Sequence, residues 1–248
     1  FVDAPDGIKK QHEMAVPISG GLSFGLSYYL FVFVCLLIFY FDLNNSLNIQ
    51  LPLIGYGSNF PFFAFIILLL LSFVLLIICL IDDLVSLPVW VRLFAQISCS
   101  VLFIQLGGVS LINLGSLLGG GEIILDEYLA FIFTIFCIVG VTNAFNWIDG
   151  IDGFLSSQVL LAIMGMIILS GRITIFHIAF LSAMSPYIVM NLGLLGDKFK
   201  VFIGDHGAMM IGFLIAGSFV LLSQADEGIY VQGAVSYTHL TLPTNTPV

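Results

Sequence analysis

The sequence predicts an all-α protein, a polytopic transmembrane helical bundle of about seven spans. Three observations carry this. Of its 248 residues 60% are hydrophobic and only 8% charged, where a soluble domain keeps about 25% charged for its surface. Mean hydropathy is +1.15. The apolar residues fall in runs of about 20, the length that crosses a bilayer as a helix. The even spread of these runs argues for one bundle rather than two domains.

Taken in order, the first span is expected from about Gly21 to Phe41, and the polar stretch Asp42 to Asn59 reads as a loop. The second span, about Pro61 to Ile81, is the most apolar and ends at Asp82-Asp83. Ser86-Leu-Pro-Val-Trp90 is a short connection with an interfacial Trp. The third span is about Arg92 to Ile112, and Asn113 to Glu127 is a Gly-rich acidic loop. The fourth, about Tyr128 to Phe145, delivers Asn143-Ala-Phe-Asn-Trp-Ile-Asp-Gly-Ile-Asp-Gly153. The fifth is about Phe154 to Ser170, and Arg172 sits in a tight turn before the sixth, about Ile173 to Leu195. Pro186 within it frees a carbonyl that a neighbour must satisfy. Gly196 to Asp205 is a polar-basic connection, and the seventh span is about Gly207 to Ser223.

The ends do not follow this pattern. Residue 1 is Phe, in a polar stretch with no signal peptide before it, so the chain reads as a fragment lacking its true N-terminus. Residues 1–223 form the expected membrane core. Residues 224–248, ending in a Thr/Pro-rich segment, cannot span a membrane and read as a tail of non-native character.

Sides follow from alternation of the loops. Residues 1–20, 82–91, 146–153 and 196–206 share one face, with Lys9, Lys10, Lys198 and Lys200 and with Arg92 at its edge; the other face has only Arg172. The positive-inside rule makes the first face cytoplasmic. The same face collects Asp82, Asp83, Asn143, Asn146, Asp149, Asp152, Asp205, His12 and His206. Hydropathy and basic residues set the topology, so this gathering of acids is an independent result.

A net charge of −9 excludes nucleic acid, which wants a basic face. An anionic ligand would need a divalent cation between it and the protein. The cysteines Cys35, Cys79, Cys99 and Cys137 lie in apolar runs without zinc spacing and read as small buried hydrophobes. Asn143, Asn146, Asp149 and Asp152 recur every third residue, so each step drifts by about 60° around a helix. A helix end near Asp149 and a Gly-permitted turn would bring Asp152 back to the same side. Asp82-Asp83 in mid-bilayer would cost roughly 2.5–3.5 kcal/mol each, which places them at the helix mouth. Two carboxylates about 5.5 Å apart repel by about 3 kcal/mol at a dielectric near 20. A shared Mg²⁺, with Mn²⁺ as a substitute, would relieve this with hard oxygen ligands. Each feature also has a plainer reading: a stop-transfer pair for Asp82-Asp83, interhelical glue for the two Asn residues, an N-cap for Asp205. Lys198 and Lys200 would then be topology signals, and His177 a hydrogen-bonded core residue. The convergence of three acidic motifs on one face favours a metal-dependent phosphoryl-transfer site.

These residues resemble the polyprenyl-phosphate N-acetylhexosamine-1-phosphate transferases, most of all the bacterial branch that uses undecaprenyl phosphate and UDP-GlcNAc. Asp3-Ala-Pro, Ile8-Lys-Lys-Gln-His12 and Val16-Pro-Ile-Ser-Gly-Gly21 look like the family's first cytoplasmic loop. Asp82-Asp83 matches its aspartate pair, with Arg92 in step behind. Asn143 to Gly153 is nearly its signature, and Ser185-Pro-Tyr-Ile-Val-Met-Asn-Leu-Gly193 and Lys200-Val-Phe-Ile-Gly-Asp-His-Gly207 match its last shared stretch. His206 and Ala208 depart from the small residue and the Ser usual there.

The resemblance implies transfer of a sugar-1-phosphate from a UDP-N-acetylhexosamine to undecaprenyl phosphate, with release of UMP, at the start of surface polysaccharide synthesis (O-antigen, enterobacterial common antigen or teichoic acid). It implies Asp205 and Asn146 as metal ligands and Asp82, Asp83, Asp149 and Asp152 as catalytic. Lys9, Lys10, His12, Asn143, Lys200 and His206 would bind substrate. The setting would be the bacterial inner membrane, multi-pass and in contact with lipid, with the site on the cytoplasmic face. The family's first helix, its later spans and their His-x-His-His-like loop are absent, so the chain as given reads as incomplete for activity. The oligomeric state stays open, a homodimer included. The alternative reading is a cation transporter or channel, which would set acids at several depths along the bundle.

Overall fold

The computed structural model describes residues 2–3, 16–40, 61–115, 122–149, 152–171 and 173–223. Seven α-helices lie among them: α1 (Gly20–Tyr40), α2 (Phe62–Val85), α3 (Val89–Gly107), α4 (Glu127–Ile148), α5 (Phe154–Ser170), α6 (Ile175–Asn191) and α7 (Gly204–Ser223). A two-residue antiparallel ladder pairs Val2–Asp3 with Val16–Pro17. The all-α bundle is as expected. Five helices, α2, α3, α4, α7 and the 20–37 stretch of α1, have the length and hydropathy to cross a membrane. The remaining two, α5 and α6, are apolar but 17 residues each, about 25 Å long, the short end of what spans.

The helix ends correct several expected boundaries, and each has a local cause. Rather than stopping before the aspartate pair, α2 carries it in the last turn. Ser86 then takes the left-handed conformation, φ 56°, and donates its N–H to the Asp82 carbonyl at 2.7 Å. Leu87 N–H donates to Asp82 Oδ1 at 2.7 Å, so Asp82 closes the helix with both backbone and side chain. After Pro88, α3 starts at once, and Gly108 ends it at φ 65°, short of the expected Ile112. Asp126 caps α4, accepting from Leu129 N–H at 3.3 Å. The expected sixth span ran to Leu195, but α6 stops at Asn191 and Gly193 turns with φ 66°. Inside α6, Pro186 leaves the Ser182 carbonyl without its usual donor, and the Ser185 hydroxyl supplies one at 3.1 Å.

At the centre lies α7, which packs on α1, α2, α4 and α5. All its residues except Asp205, Phe219 and Ser223 are buried. Two glycines make this possible. A Cβ on Gly207 would stand 2.4 Å from Gly21 Cα of α1, and one on Gly212 would stand 2.8 Å from Thr142 Cα of α4. The outward faces carry large apolar side chains such as Leu70, Phe136 and Ile168, as lipid contact requires. Trp90 and Trp147 are exposed at one end and Tyr128 at the other, where aromatic residues mark the two interfaces. The chain is a multi-pass membrane protein.

At the end with the two tryptophans the expected face assembles. Gly20 N–H donates to the Phe202 carbonyl at 3.0 Å, Gly21 N–H to Ile203 at 2.9 Å, and Phe202 N–H to Pro17 at 2.9 Å. Buried Asn191 accepts from Gly153 N–H at 2.6 Å and donates to the Val201 carbonyl at 3.2 Å. The segments around residues 17–21, 153 and 201–203 are thereby stitched together. Gly212→Ala is expected to push α4 off α7, because the obstruction is backbone, and to lower stability by about 1–3 kcal/mol. Gly165→Ala on α5, with nothing within 4 Å, is expected to be neutral or stabilising. Thermal unfolding of both variants in detergent checks the pair.

Candidate active site

Three carboxylates meet where the ends of α2 and α7 touch. Asp82, Asp83 and Asp205 each offer an oxygen, all within 4.8 Å of one another, the one such group of His, Cys, Asp and Glu among the described residues. At an effective dielectric near 20, two unit charges 4.8 Å apart repel by about 3.5 kcal/mol. Arg92, in the first turn of α3, offsets part of this. Its Nη1 donates to Asp205 Oδ2 at 2.7 Å and stands 3.2 Å from Asp82 Oδ2. His206 Nδ1 pairs with Asp83 Oδ2. Asp205 sits in the first turn of α7, where the helix dipole favours a negative charge.

The end of α4 brings the next group. Asp149 caps the helix, and its carboxyl is lifted from the ordinary 3.8 to about 8. Burial is the main cause and the charge of Asp205 the second; a hydrogen bond from the Gly204 backbone opposes them, and the charge of Asp83 adds to the rise. Two side-chain oxygens on this turn, Asn146 Oδ1 and Asp149 Oδ1, are buried without a hydrogen-bond partner. Unmade bonds on buried oxygens are costly, and a cation is one thing that satisfies them. The donor set at this end of the bundle is the three carboxylate oxygens and these two, Asp149 being near enough to feel the charges of Asp205 and Asp83. It consists of hard oxygens, and it fits a divalent cation of the magnesium class.

The other residues singled out from the sequence stand in different positions. Asp152 lies past the α4 end in a turn with Gly153, which has φ 71°. It pairs with Lys200, Nζ to Oδ2 at 2.5 Å, and Lys200 also lies 5.7 Å above the Phe202 ring. These two form a partly exposed ion pair at the same end, outside the carboxylate group. Asn143 is one turn deeper in α4, where Gln96 of α3 holds its amide. Lys9, Lys10 and His12 lie outside the described residues. Three residues with clear positions in the site were given no role in it from the sequence: Arg92, Gln96 and Asn191. The signal for Gln96 was its spacing of four from Arg92, which puts both on one face of α3. Cys79 and Cys99 are buried, as their apolar settings predict, and no zinc set competes among the described residues.

Known proteins share this layout in sequence. The model of glycosyl transferase family 4 matches residues 64–223. The undecaprenyl-phosphate alpha-N-acetylglucosaminyl 1-phosphate transferase of Yersinia pestis is 32% identical over 233 residues, covering 92% of this chain and 56% of its own. The protein of the same name from Escherichia coli K12 is 32% identical over 220 residues, 87% of this chain and 53% of its own. That of Haemophilus influenzae is 34% identical over 230 residues, 90% and 58%. The chain thus spans about half the length of the curated relatives it matches. A family match that begins in α2 and runs to the last residue of α7 encloses every described carboxylate of the site, and on that match the chain belongs to glycosyl transferase family 4.

Proposed function

We propose that the protein of which this chain is part transfers N-acetylglucosamine-1-phosphate, or a related N-acetylhexosamine-1-phosphate, from a UDP-sugar to undecaprenyl phosphate and releases UMP. The reaction would open surface polysaccharide synthesis on the cytoplasmic side of the bacterial plasma membrane. The observation that carries this reading is the carboxylate group at one end of an apolar bundle, inside the residues that match the family. The transporter alternative wants acids at several depths. The described acids sit at helix ends or in the connections between helices: Asp3, Asp82, Asp83, Asp149, Asp152, Asp197 and Asp205 on one side, Glu122, Asp126 and Glu127 on the other.

In the reaction an oxygen of the lipid phosphate attacks the β-phosphorus of the UDP-sugar. The bond from that phosphorus to the bridging oxygen breaks, and UMP leaves with the bond electrons. Such transfers are governed by positioning and charge neutralisation more than by covalent catalysis. Bound Mg²⁺, with Mn²⁺ as a substitute, would neutralise the diphosphate and stabilise charge on the leaving oxygen. Asp205 and Asn146 would hold it, with Asp149 Oδ1 as a further oxygen beside them. Asp82 and Asp83 are assigned to the lipid phosphate, and one of them takes the phosphate proton when it is still present. Arg92 balances the charges of Asp82 and Asp205. Lys200, held by Asp152, adds a cation at the rim for the incoming nucleotide diphosphate, and Lys9 and Lys10 are assigned to the same phosphates. His206 holds Asp83 in place.

Two measurements test this. The full-length protein in detergent, given undecaprenyl phosphate and UDP-GlcNAc, is expected to release UMP with Mg²⁺ and to stop in EDTA. Asp205→Asn is expected to lower the rate by at least about 100-fold. Release with another UDP-N-acetylhexosamine but not with UDP-GlcNAc would change only the sugar; no turnover with any UDP-sugar from folded protein would end the transferase reading. The second concerns Asp149. Its folded carboxyl ionises near 8 and its unfolded one near 4. The unfolded state therefore holds fewer protons between those values, and stability falls as pH rises through the window. In EDTA, Asp149→Asn is expected to unfold at a higher temperature than the native protein, with no gain near pH 4 and a gain that levels off above about pH 8.

A further inference from the structure

One helical turn inward from the carboxylates lies a second layer, uncharged, and buried apart from the half-buried Asn143. Each member is one turn from a site residue on the same helix: Cys79 below Asp82 and Asp83 on α2, and Gln96 below Arg92 on α3. On α4 Asn143 lies below Asn146, and on α7 Met209 lies below Asp205. The four are joined in a directed chain. Cys79 Sγ lies 3.3 Å from Met209 Sδ, and Gln96 Nε2 lies 3.4 Å from the same sulfur. Asn143 Nδ2 donates to Gln96 Oε1 at 2.6 Å and to the Val139 carbonyl at 2.8 Å. Gln96 Nε2 also reaches Asn143 Oδ1 at 3.4 Å.

The two ends of this chain decide its polarity. A thioether sulfur and a backbone carbonyl can only accept. Met209 Sδ therefore requires the Gln96 nitrogen on its side, and Val139 requires the Asn143 nitrogen on its own. Gln96 then presents Oε1 to Asn143, and both hydrogens of the Asn143 amide are consumed. What Asn143 keeps is acceptor capacity on Oδ1, whose second lone pair is not taken by the long contact from Gln96. Gln96 is 1% exposed, so water cannot replace it in this role.

We infer that Gln96 is a positioning residue of the transfer site: it locks the Asn143 amide so that Asn143 offers an acceptor oxygen, and only that, to a hydroxyl or N–H donor of the sugar nucleotide. The inference rests on the transferase reading above and adds to it the residue that sets one of its substrate contacts. Without Gln96, the Asn143 amide is held on one side only and can turn. A buried partner of this kind is worth about 10- to 100-fold to the residue it orients.

The test uses the full-length protein in detergent, with UMP release measured against UDP-GlcNAc at saturating undecaprenyl phosphate. Gln96→Met, close in volume and without hydrogen-bonding groups, is expected to raise KM for UDP-GlcNAc by about 10- to 100-fold while kcat changes far less. A role limited to folding would lower kcat with the folded fraction and leave KM alone. Asn143→Ala is expected to raise KM to a similar extent, and the double variant no further than either single one. Where Gln96→Met does not fold, Gln96→Asn carries the test. It keeps an amide in the buried layer but withdraws it by one methylene, and the same rise in KM is expected. A native KM in a folded Gln96 variant, or a double variant whose KM rise is the product of the two singles, overturns the inference and leaves the transferase reading intact. A native protein that turns over no UDP-sugar overturns both.

Discussion

Arg92 stands between the carboxylates of two helices, 2.7 Å from Asp205 on α7 and 3.2 Å from Asp82 on α2. The site end of the bundle depends on this guanidinium. The carboxylates packed within 4.8 Å would drive the helix ends apart, and at a membrane interface the surrounding dielectric is too low to dissipate the repulsion. Arg92 bridges both through one nitrogen, Nη1, which faces the two carboxylates at once. It reaches them because Pro88 starts α3 directly after the Ser86 turn that closes α2. The strained residue therefore has a purpose. Ser86 at φ 56° lets α2 carry its aspartates to the last turn and still deliver the arginine within reach.

The same end must also be held from the inside, and α7 does this. Its N-terminal turn supplies Asp205 and His206, and its next turns are buried against four neighbouring helices. No side chain larger than hydrogen fits at Gly207 or Gly212, where α1 and α4 press on it. In lipid the hydrophobic effect does not drive helices together, so close backbone contact at small residues is the available source of cohesion. The carboxylate geometry is thus set by packing at Gly207, in the same turn as Asp205, and at Gly212, about two turns on from that aspartate. Asn191 completes the frame from α6 by tying Gly153 to Val201, which fixes the connection that carries Asp152 relative to the one that carries Lys200.

Much of this was legible in the sequence. Long apolar runs specify membrane helices with little ambiguity, because no other element satisfies its backbone in lipid, and counting loops was enough to put the acidic motifs on one face. Boundaries were less legible, since they turn on caps. Asp82 reads as the residue after a helix when only hydropathy is weighed, yet its backbone and side chain are what end the helix. Partners were the least legible. Nothing in the order of residues pairs Lys200 with Asp152 or Arg92 with Asp205, because those contacts join segments far apart in the chain. The His206 departure from the small residue usual in similar sequences could be seen as a difference, but only the fold puts its Nδ1 against Asp83.

The depth of each polar layer follows from what charge costs. At the mouth of the bundle, Asp82, Asp83 and Asp205 stand together with Arg92 set between Asp82 and Asp205 to offset their charge. One turn deeper an ionised group would cost several kcal/mol, and the layer there contains only amides, a thiol and a thioether. These groups hydrogen-bond without carrying charge, so they can transmit orientation upward while adding nothing to the repulsion above. A carboxylate in place of Gln96 would bring another negative charge under the cluster. An aliphatic side chain would leave Asn143 half-bonded. A neutral amide is the group that both holds its neighbour and spares the site another charge, and a glutamine four residues after Arg92 is the residue that brings one to that depth on α3.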